Sequence, residues 1–152
     1  MKKRKIIFAI LIIAWLYVIW GHSMQPAVES TTESGWYLDI AAKYIPFIHN
    51  NDDGMYIIRK AAHFTEYAIL GVLLALEFSC FIKKGFYRFI NPLMAAMSAA
   101  LIDETIQLFV EGRSSQVMDV WIDSAGAACG ILFLLAILRL CIRKRRYHSQ
   151  LT

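Results

Sequence analysis

Four long apolar runs, separated by polar segments, organise this chain of 152 residues. The last three are each long enough to cross the roughly 30 Å hydrocarbon core of a membrane as one helix. The first is shorter and completes a crossing only if the residues up to Met24 are included. The pattern predicts an all-α, integral membrane bundle of four transmembrane helices, over residues 6–24, 61–82, 89–110 and 120–142.

The composition excludes a soluble globular domain. The residues AVILMFWYC make up 58% of the chain and charged residues only 18%, and the mean hydropathy is +0.48. Soluble chains carry roughly a quarter charged residues, and a domain of this size could not bury so much apolar surface. Disorder is excluded for the same reason, so we predict one membrane domain over residues 1–152.

The basic residues predict the orientation of the bundle. The net charge is +4, and twelve of the 16 Lys and Arg residues fall on one side of the four-helix arrangement: Lys2, Lys3, Arg4, Lys5, Lys83, Lys84, Arg88, Arg139, Arg143, Lys144, Arg145 and Arg146. The positive-inside rule places that side, with both termini, in the cytoplasm. We therefore expect a multi-pass protein of the plasma (cytoplasmic) membrane, with membrane lipids and not nucleic acid as partners.

Two segments of the amino-terminal third allow more than one interpretation. The first run follows a basic start, as in a signal peptide, but lacks a small-x-small cleavage site, which favours an uncleaved anchor. In the outer segment that follows, Ser30 and Glu33 fit a capping box. Aromatic residues then recur at near-helical spacing up to Pro46. A short interfacial helix and an aromatic loop packed on the bundle both fit this pattern.

Ionisable residues interrupt three of the apolar runs, where each is expensive and marks a candidate functional site. Arg59, His63 and Glu66 have the spacing i, i+4, i+7 and share one helix face. Asp103, Glu104 and Gln107 lie near the end of the third run, and Asp119 and Asp123 begin the fourth. On the same face as these aspartates, Gly126 and Gly130 have the GxxxG spacing that allows close helix contact.

These polar residues should lie at one depth. Glu66 and Asp103 are each about 10 Å below the outer end of their helices, so one convergent site in the outer half of the membrane is the simplest interpretation. Polar residues that only hold helices together are the alternative. The proposed ligand-binding cluster comprises Arg59, His63, Glu66, Asp103, Glu104, Gln107, Arg113, Asp119 and Asp123.

The remaining candidate residues do not identify a cofactor, which stays unknown from the sequence. Cys80, Cys129 and Cys141 lie in predicted spans, where buried packing thiols are expected, and they offer neither a disulfide framework nor a paired metal spacing. Glu77 is near the cytoplasmic end of its helix, where Lys83 or Lys84 would pair with it. Metal ligands, catalytic residues and the oligomeric state therefore stay unassigned by the sequence.

Four segments resemble the VanZ-like family of bacterial membrane proteins, which is named for a glycopeptide (teicoplanin) resistance protein. They are HSMQP at 22–26, RKAAHFTEYAILG at 59–71, DETIQLFVEGRSSQVMDV at 103–120 and IDSAGAACG at 122–130. The resemblance implies a multi-helix domain of the cell envelope, associated with antibiotic resistance to envelope-active compounds. The chain departs from it at Asp123, where many relatives have Asn, so no family role is carried over to that position.

Three functions remain open. The first is a binding module whose outer-leaflet site holds an envelope lipid, a lipid-linked cell-wall precursor or a lipoglycopeptide, with Arg59 and Arg113 contacting phosphate or carboxylate. The second is an intramembrane enzyme on a lipid-linked substrate, acid/base or dependent on a metal such as Mg²⁺, Mn²⁺ or Ca²⁺, although neither HExxH nor GxSxG is present. The third is transport, for which no polar path to the cytoplasm is evident beyond Glu77. We favour the first.

Overall fold

Five helices make up the architecture. The computed structural model describes residues 2–83 and 85–148, and no strand occurs among them. The helices are α1 (Lys2–Ser23), α2 (Ala27–Tyr44), α3 (Asp52–Ser79), α4 (Tyr87–Gln107) and α5 (Val117–His148). The all-α prediction is confirmed. Lys84 lies outside the described residues, as do the side chains of Lys2, Lys144, Arg145 and Arg146.

Three of the helices are long and apolar enough to cross a membrane. The segments that meet both conditions within the described residues are Lys3–Ser23, Asp52–Ser79 and Val117–Cys141. Helix α4 has 21 residues, or about 31 Å at 1.5 Å per residue, but it includes Arg88, Asp103 and Glu104 and is not among the three. Length and composition therefore identify a membrane protein without establishing the fourth crossing.

Helix α3 is the centre of the bundle, because it contacts each of the other four helices. Around it, the main core contains the fully buried side chains of Ile19, Tyr67, Leu70, Ala96 and Ala127. The outward faces of the helices are apolar instead of polar. Such a surface suits lipid better than water, in agreement with the membrane prediction.

The contact of α3 with α5 is close because both helices carry glycine there. A Cβ on Gly126 would collide with the carbonyl oxygen of Phe64, and a Cβ on Gly130 with that of Ala68. From the other side, Gly71 faces the backbone of Ala127 in the same way. The close approach predicted from the GxxxG spacing is confirmed.

Helix α2 decides between the two interpretations of the first outer segment, which is helical. The capping-box prediction is wrong, because the helix begins at Ala27 after Pro26 and no side chain caps it. Ser30 is already inside the first turn, where its amide bonds to the Pro26 carbonyl. The helix ends at Tyr44, and Ile45 is extended, as residues before proline prefer.

Helix α3 begins well before the apolar run that predicts it. Asn51 caps its amino terminus by accepting a hydrogen bond from the Gly54 amide at 2.9 Å. Asp52 and Asp53 occupy the first turn, where negative charge is favourable. The additional turns carry Arg59 and Lys60 in regular helix and so fix the positions of both cations.

Two basic residues, Lys5 and Arg88, lie at the end of the bundle where α3 ends. The Lys5 Nζ of α1 lies 3.6 Å from the ring centroid of Phe81, which follows α3. Arg88 of α4 donates to the hydroxyl of Ser79, the last residue of α3, at 3.0 Å. The amino termini of α1 and α4 therefore meet the carboxyl terminus of α3, as the charge pattern predicts.

Candidate functional site

A cavity of about 470 Å³ opens at the end of the bundle opposite these basic residues. It lies between α1, α2, α3 and the loop that joins α4 to α5. Its apolar wall includes Trp15, Ile58 and Ile69. Its polar lining is His22, Ser23, Gln25, Ser30, Glu33, Ser34, Arg59, His63, Thr65, Glu66 and Arg113. A pocket of this size with both kinds of wall suits an amphipathic ligand.

One face of α3 supplies the predicted polar residues of the cavity. Arg59, His63 and Glu66 all line it, as their spacing of i, i+4, i+7 predicts. Trp15 of α1 fixes the depth of this face by donating its indole N–H to the Glu66 carbonyl at 2.9 Å. The three side chains therefore approach the cavity from one regular, well-supported helix.

Glu66 has a partner that the sequence prediction missed. Its Oε1 lies 2.7 Å from the Nδ1 of His22, in the last turn of α1. The Glu66 side chain is 19% exposed and that of His22 46% exposed, so the pair forms part of the cavity wall. The available signal was the segment 22–26, which contains His22 and is one of the four segments that resemble the VanZ-like family.

Arg113 is held in place by backbone oxygens. Its Nη2 donates to the His22 carbonyl at 2.8 Å and its Nε to the Gln25 carbonyl at 3.1 Å. Partial burial, and then the nearby Arg59, lower the pKa of the Arg113 guanidinium, although arginine stays charged at neutral pH. Two guanidinium groups thus line one cavity, and neither forms an ion pair with the described residues.

Two other members of the predicted cluster anchor neighbouring segments. The Oε2 of Glu104 accepts from the Ser115 hydroxyl and from the Gln116 amide, both at 2.8 Å. The Nε2 of Gln107 donates to the Ser23 hydroxyl at 3.3 Å. Both side chains are buried, and neither lines the cavity. They hold the loop and the end of α1 against α4.

Asp119 pairs with Lys60, and not with an arginine. The two side chains form an ion pair and are 7% and 16% exposed respectively. Lys60 also approaches Gln116 Oε1, at 3.4 Å. Lys60 is not among the nine predicted residues of the cluster. The available signal was the spacing within each helix. Lys60 lies three residues before His63 on α3, and Asp119 lies four residues before Asp123 on α5.

Behind the cavity, His63 meets two buried carboxylates. Its Nδ1 lies 3.3 Å from Asp123 Oδ1, and the ligand atoms of His63, Asp103 and Asp123 lie within 4.8 Å of one another. Asp103 and Asp123 are 1% and 0% exposed. Both oxygens of Asp123 and Oδ1 of Asp103 lack a hydrogen-bond partner in the described residues. These residues are the ones that could hold a metal ion.

The structure thus divides the nine predicted residues into three sets. Arg59, His63, Glu66 and Arg113 line the cavity; His63 also joins the buried group with Asp103 and Asp123; and the remaining three, Glu104, Gln107 and Asp119, fix neighbouring elements. The single convergent site of the prediction is two adjacent sites that share His63.

Two residue types outside the cluster differ from expectation. Glu77 forms no ion pair with Lys83, and its Oε2 is buried without a partner among the described residues. The cysteines are free, as predicted, but Cys129 and Cys141 are exposed on the helix surface instead of buried.

Comparison with known proteins gives one match. The model of the VanZ/LLP1 family matches residues 8–139. The matched range runs from α1 to the second half of α5 and includes every residue of the cavity and of the buried group. A search of curated proteins finds no match, and neither does a search of solved structures.

Proposed function

The chain belongs to the VanZ/LLP1 family, and from this premise we propose that its cavity binds the anionic headgroup of a membrane lipid, a lipid-linked cell-wall precursor or a lipoglycopeptide. The match and the apolar helices identify a membrane protein of VanZ type. The headgroup proposal rests on the two arginines of the cavity, and the orientation proposal that accompanies it rests on the charge pattern.

In this proposal α1, α3, α4 and α5 cross the plasma membrane and both termini are cytoplasmic. The basic residues at one end of the bundle support this orientation. Helix α2 then lies at the outer interface, with Leu38 buried against the bundle while Trp36, Ile40 and Tyr44 are exposed. Aromatic side chains of this kind favour the headgroup region. The cavity opens to the outer leaflet.

The observation that carries the headgroup proposal is the pair of guanidinium groups. Arg59 and Arg113 line the same cavity without an ion pair, and they repel each other. An anion between them would relieve that repulsion and accept bidentate hydrogen bonds. Arg113 is already oriented by its two backbone contacts, so binding would cost it little conformational freedom. Phosphate and carboxylate both match this geometry.

The apolar wall extends the proposal from an anion to an anionic lipid. Trp15, Ile58 and Ile69 line the cavity beside the polar groups. An acyl or prenyl chain attached to the bound anion could therefore leave along apolar side chains instead of crossing water. The three ligand sources we propose share this combination of a charged group and a lipid tail.

Binding by purified protein separates these sources. We would place the full chain in nanodiscs of neutral phosphatidylcholine and measure the Kd for phosphatidylglycerol, a polyprenyl phosphate and teicoplanin. Arg59→Ala and Arg113→Ala should each weaken the true ligand at least about tenfold, the effect of losing about 1.4 kcal/mol. Lys43→Ala, which removes an exposed cation that does not line the cavity, should change nothing. Unchanged affinity in both arginine variants would refute the proposal.

Antibiotic susceptibility connects binding to resistance. Cells would express the wild type, Glu66→Gln or Asp103→Asn at matched protein levels, with Glu77→Gln as the control carboxylate. We expect Glu66→Gln, in the cavity wall, and Asp103→Asn, in the buried group beside it, to protect less than the wild type against teicoplanin, and the control to protect fully. Equal protection by all four chains would mean that the polar residues only hold the helices together.

Catalysis is the second candidate function, and one observation favours it. His63 lines the cavity and also faces two buried carboxylates, an arrangement suited to moving a proton to or from a bound substrate. Incubation of the chain with a polyprenyl pyrophosphate, followed by measurement of released phosphate, tests it. Release that persists in His63→Gln would exclude this role for His63.

A further inference from the structure

His63, Asp103 and Asp123 converge from three different helices. They belong to α3, α4 and α5 respectively, and each offers one ligand atom within 4.8 Å of the other two. Helices can pack closely without their polar side-chain atoms facing one another, so this convergence does not follow from helix packing alone. The convergence is in the bundle interior, because both aspartates are fully buried.

Three of the four carboxylate oxygens in this group lack a hydrogen-bond partner among the described residues. Neither oxygen of Asp123 accepts a hydrogen bond from the described residues, and Oδ1 of Asp103 accepts none. A buried carboxylate without a partner is unfavourable, because nothing replaces the hydration that it loses. The other cations do not neutralise them, since Lys60 pairs with Asp119, and neither Arg59 nor Arg113 forms an ion pair with the described residues. One imidazole cannot satisfy both carboxylates.

We propose that His63, Asp103 and Asp123 bind one divalent metal ion, adjacent to the cavity. Two ligands on one ion, each at about 2.1 Å, lie about 3.0–3.4 Å apart in octahedral or tetrahedral geometry. The 3.3 Å between His63 Nδ1 and Asp123 Oδ1 fits that separation. The ion neutralises both carboxylates and supplies the partners that their oxygens lack.

The donor set selects the class of metal. One imidazole nitrogen with two carboxylate oxygens suits first-row ions such as Mn²⁺ and Zn²⁺ better than the all-oxygen preferences of Mg²⁺ and Ca²⁺. Three protein ligands also leave a coordination position for water or for an oxygen of a bound molecule. The metal site uses neither Arg59 nor Arg113, so metal binding can be tested independently of headgroup binding.

Metal analysis of the purified full chain tests the site. The chain would be stripped with a chelator and titrated separately with Mn²⁺ and Zn²⁺. We expect about one ion per chain in the wild type and at least about tenfold weaker binding in Asp103→Asn and Asp123→Asn. Glu77→Gln should bind as the wild type does, and Arg59→Ala should keep the metal even if it loses the headgroup. No stoichiometric binding in the wild type, or wild-type binding in Asp123→Asn, would overturn the proposal.

A spectroscopic measurement covers the case in which the Asn variants do not fold. Mn²⁺ bound to the wild-type chain should show magnetic coupling to one imidazole nitrogen, which ¹⁵N-labelled histidine would shift. His63→Gln should abolish the coupling, whereas His49→Gln, which lies outside the group, should keep it. A Mn²⁺ spectrum without nitrogen coupling in the wild type would overturn the site regardless of the variants.

Discussion

The Nδ1 of His22 lies 2.7 Å from the Oε1 of Glu66, and this pair joins the last turn of α1 to the middle of α3. The indole of Trp15 reaches the carbonyl of the same residue, Glu66. Two side chains of α1, about two turns apart, therefore contact α3 at one level. The amino-terminal helix is thus fastened to the bundle at the cavity wall.

We expect removal of the His22–Glu66 contact to loosen α1. Glu66→Ala should lower the free energy of unfolding by about 1.5–3 kcal/mol, the range for a hydrogen bond with a charged group. Glu66→Gln should lower it less, because the amide oxygen still accepts. A double-mutant cycle with His22→Ala, followed by thermal unfolding in detergent, measures the coupling. Additive effects of the two substitutions would show that the contact contributes nothing.

Lys60 and Asp119 give a second prediction. Their ion pair is mostly buried, so Lys60→Met leaves a carboxylate without a partner and should cost about 3 kcal/mol or more. Adding Asp119→Leu to that variant should recover most of the loss, because it removes the uncompensated charge. Unfolding of the single and double variants measures this. If the loss of unfolding free energy in the double variant equals the sum of the losses in the two single variants, the ion pair does not stabilise the contact of α5 with α3.

Helix periodicity allowed part of the site to be predicted from the sequence. Arg59, His63 and Glu66 share the cavity wall because a spacing of i, i+4, i+7 fixes a face whatever the neighbours are. The same geometry places Asp119 and Asp123 against α3. A partner depends also on the rotation of both helices, which periodicity within one helix does not give. The periodicity of α3 therefore does not reveal that Lys60, the residue after Arg59, is the one that pairs with Asp119.

The missed features share a physical cause, which is that polarity alone does not distinguish a helix from a loop. Asn51, Asp52 and Asp53 are residue types that also favour turns, yet they cap and begin α3. The aromatic spacing of α2 fits a helix and a packed loop equally well. The contact of Leu38 with Gly54 of α3 is a tertiary interaction that local sequence does not encode.

Gly126 gives a prediction about the α3–α5 contact. Gly126→Ala places a methyl group against the carbonyl oxygen of Phe64, so the helices must separate and the chain should lose about 1–3 kcal/mol of stability. Gly21→Ala is the matched control, because nothing lies near its Cβ position and alanine favours the helix. Thermal unfolding compares the two. A Gly126 variant as stable as the Gly21 variant would contradict the close contact.

Glu104 gives a prediction about the loop that carries Arg113. Loss of its two hydrogen bonds in Glu104→Ala should free the loop and speed amide hydrogen exchange at Gln116 by about tenfold for each 1.4 kcal/mol lost. Thr105→Ala controls for substitution at the neighbouring position, since the Thr105 hydroxyl bonds only within α4. The affinity for the headgroup should also decrease in Glu104→Ala, because a less ordered loop no longer holds Arg113 in position. Unchanged exchange at Gln116 would show that Glu104 does not anchor the loop.

The fourth crossing is tested by labelling from outside the cell. If α4 spans the membrane, the two segments that flank it, at Lys83 and Glu111, lie on opposite sides. The native cysteines are replaced by serine, because Cys129 and Cys141 are exposed, and single cysteines are introduced as Lys83→Cys or Glu111→Cys. A membrane-impermeant maleimide should label intact cells only in the Glu111 variant, and the Lys83 variant should react once the membrane is opened. Labelling of both in intact cells would leave α4 on one side and remove the orientation on which the outer-leaflet cavity depends.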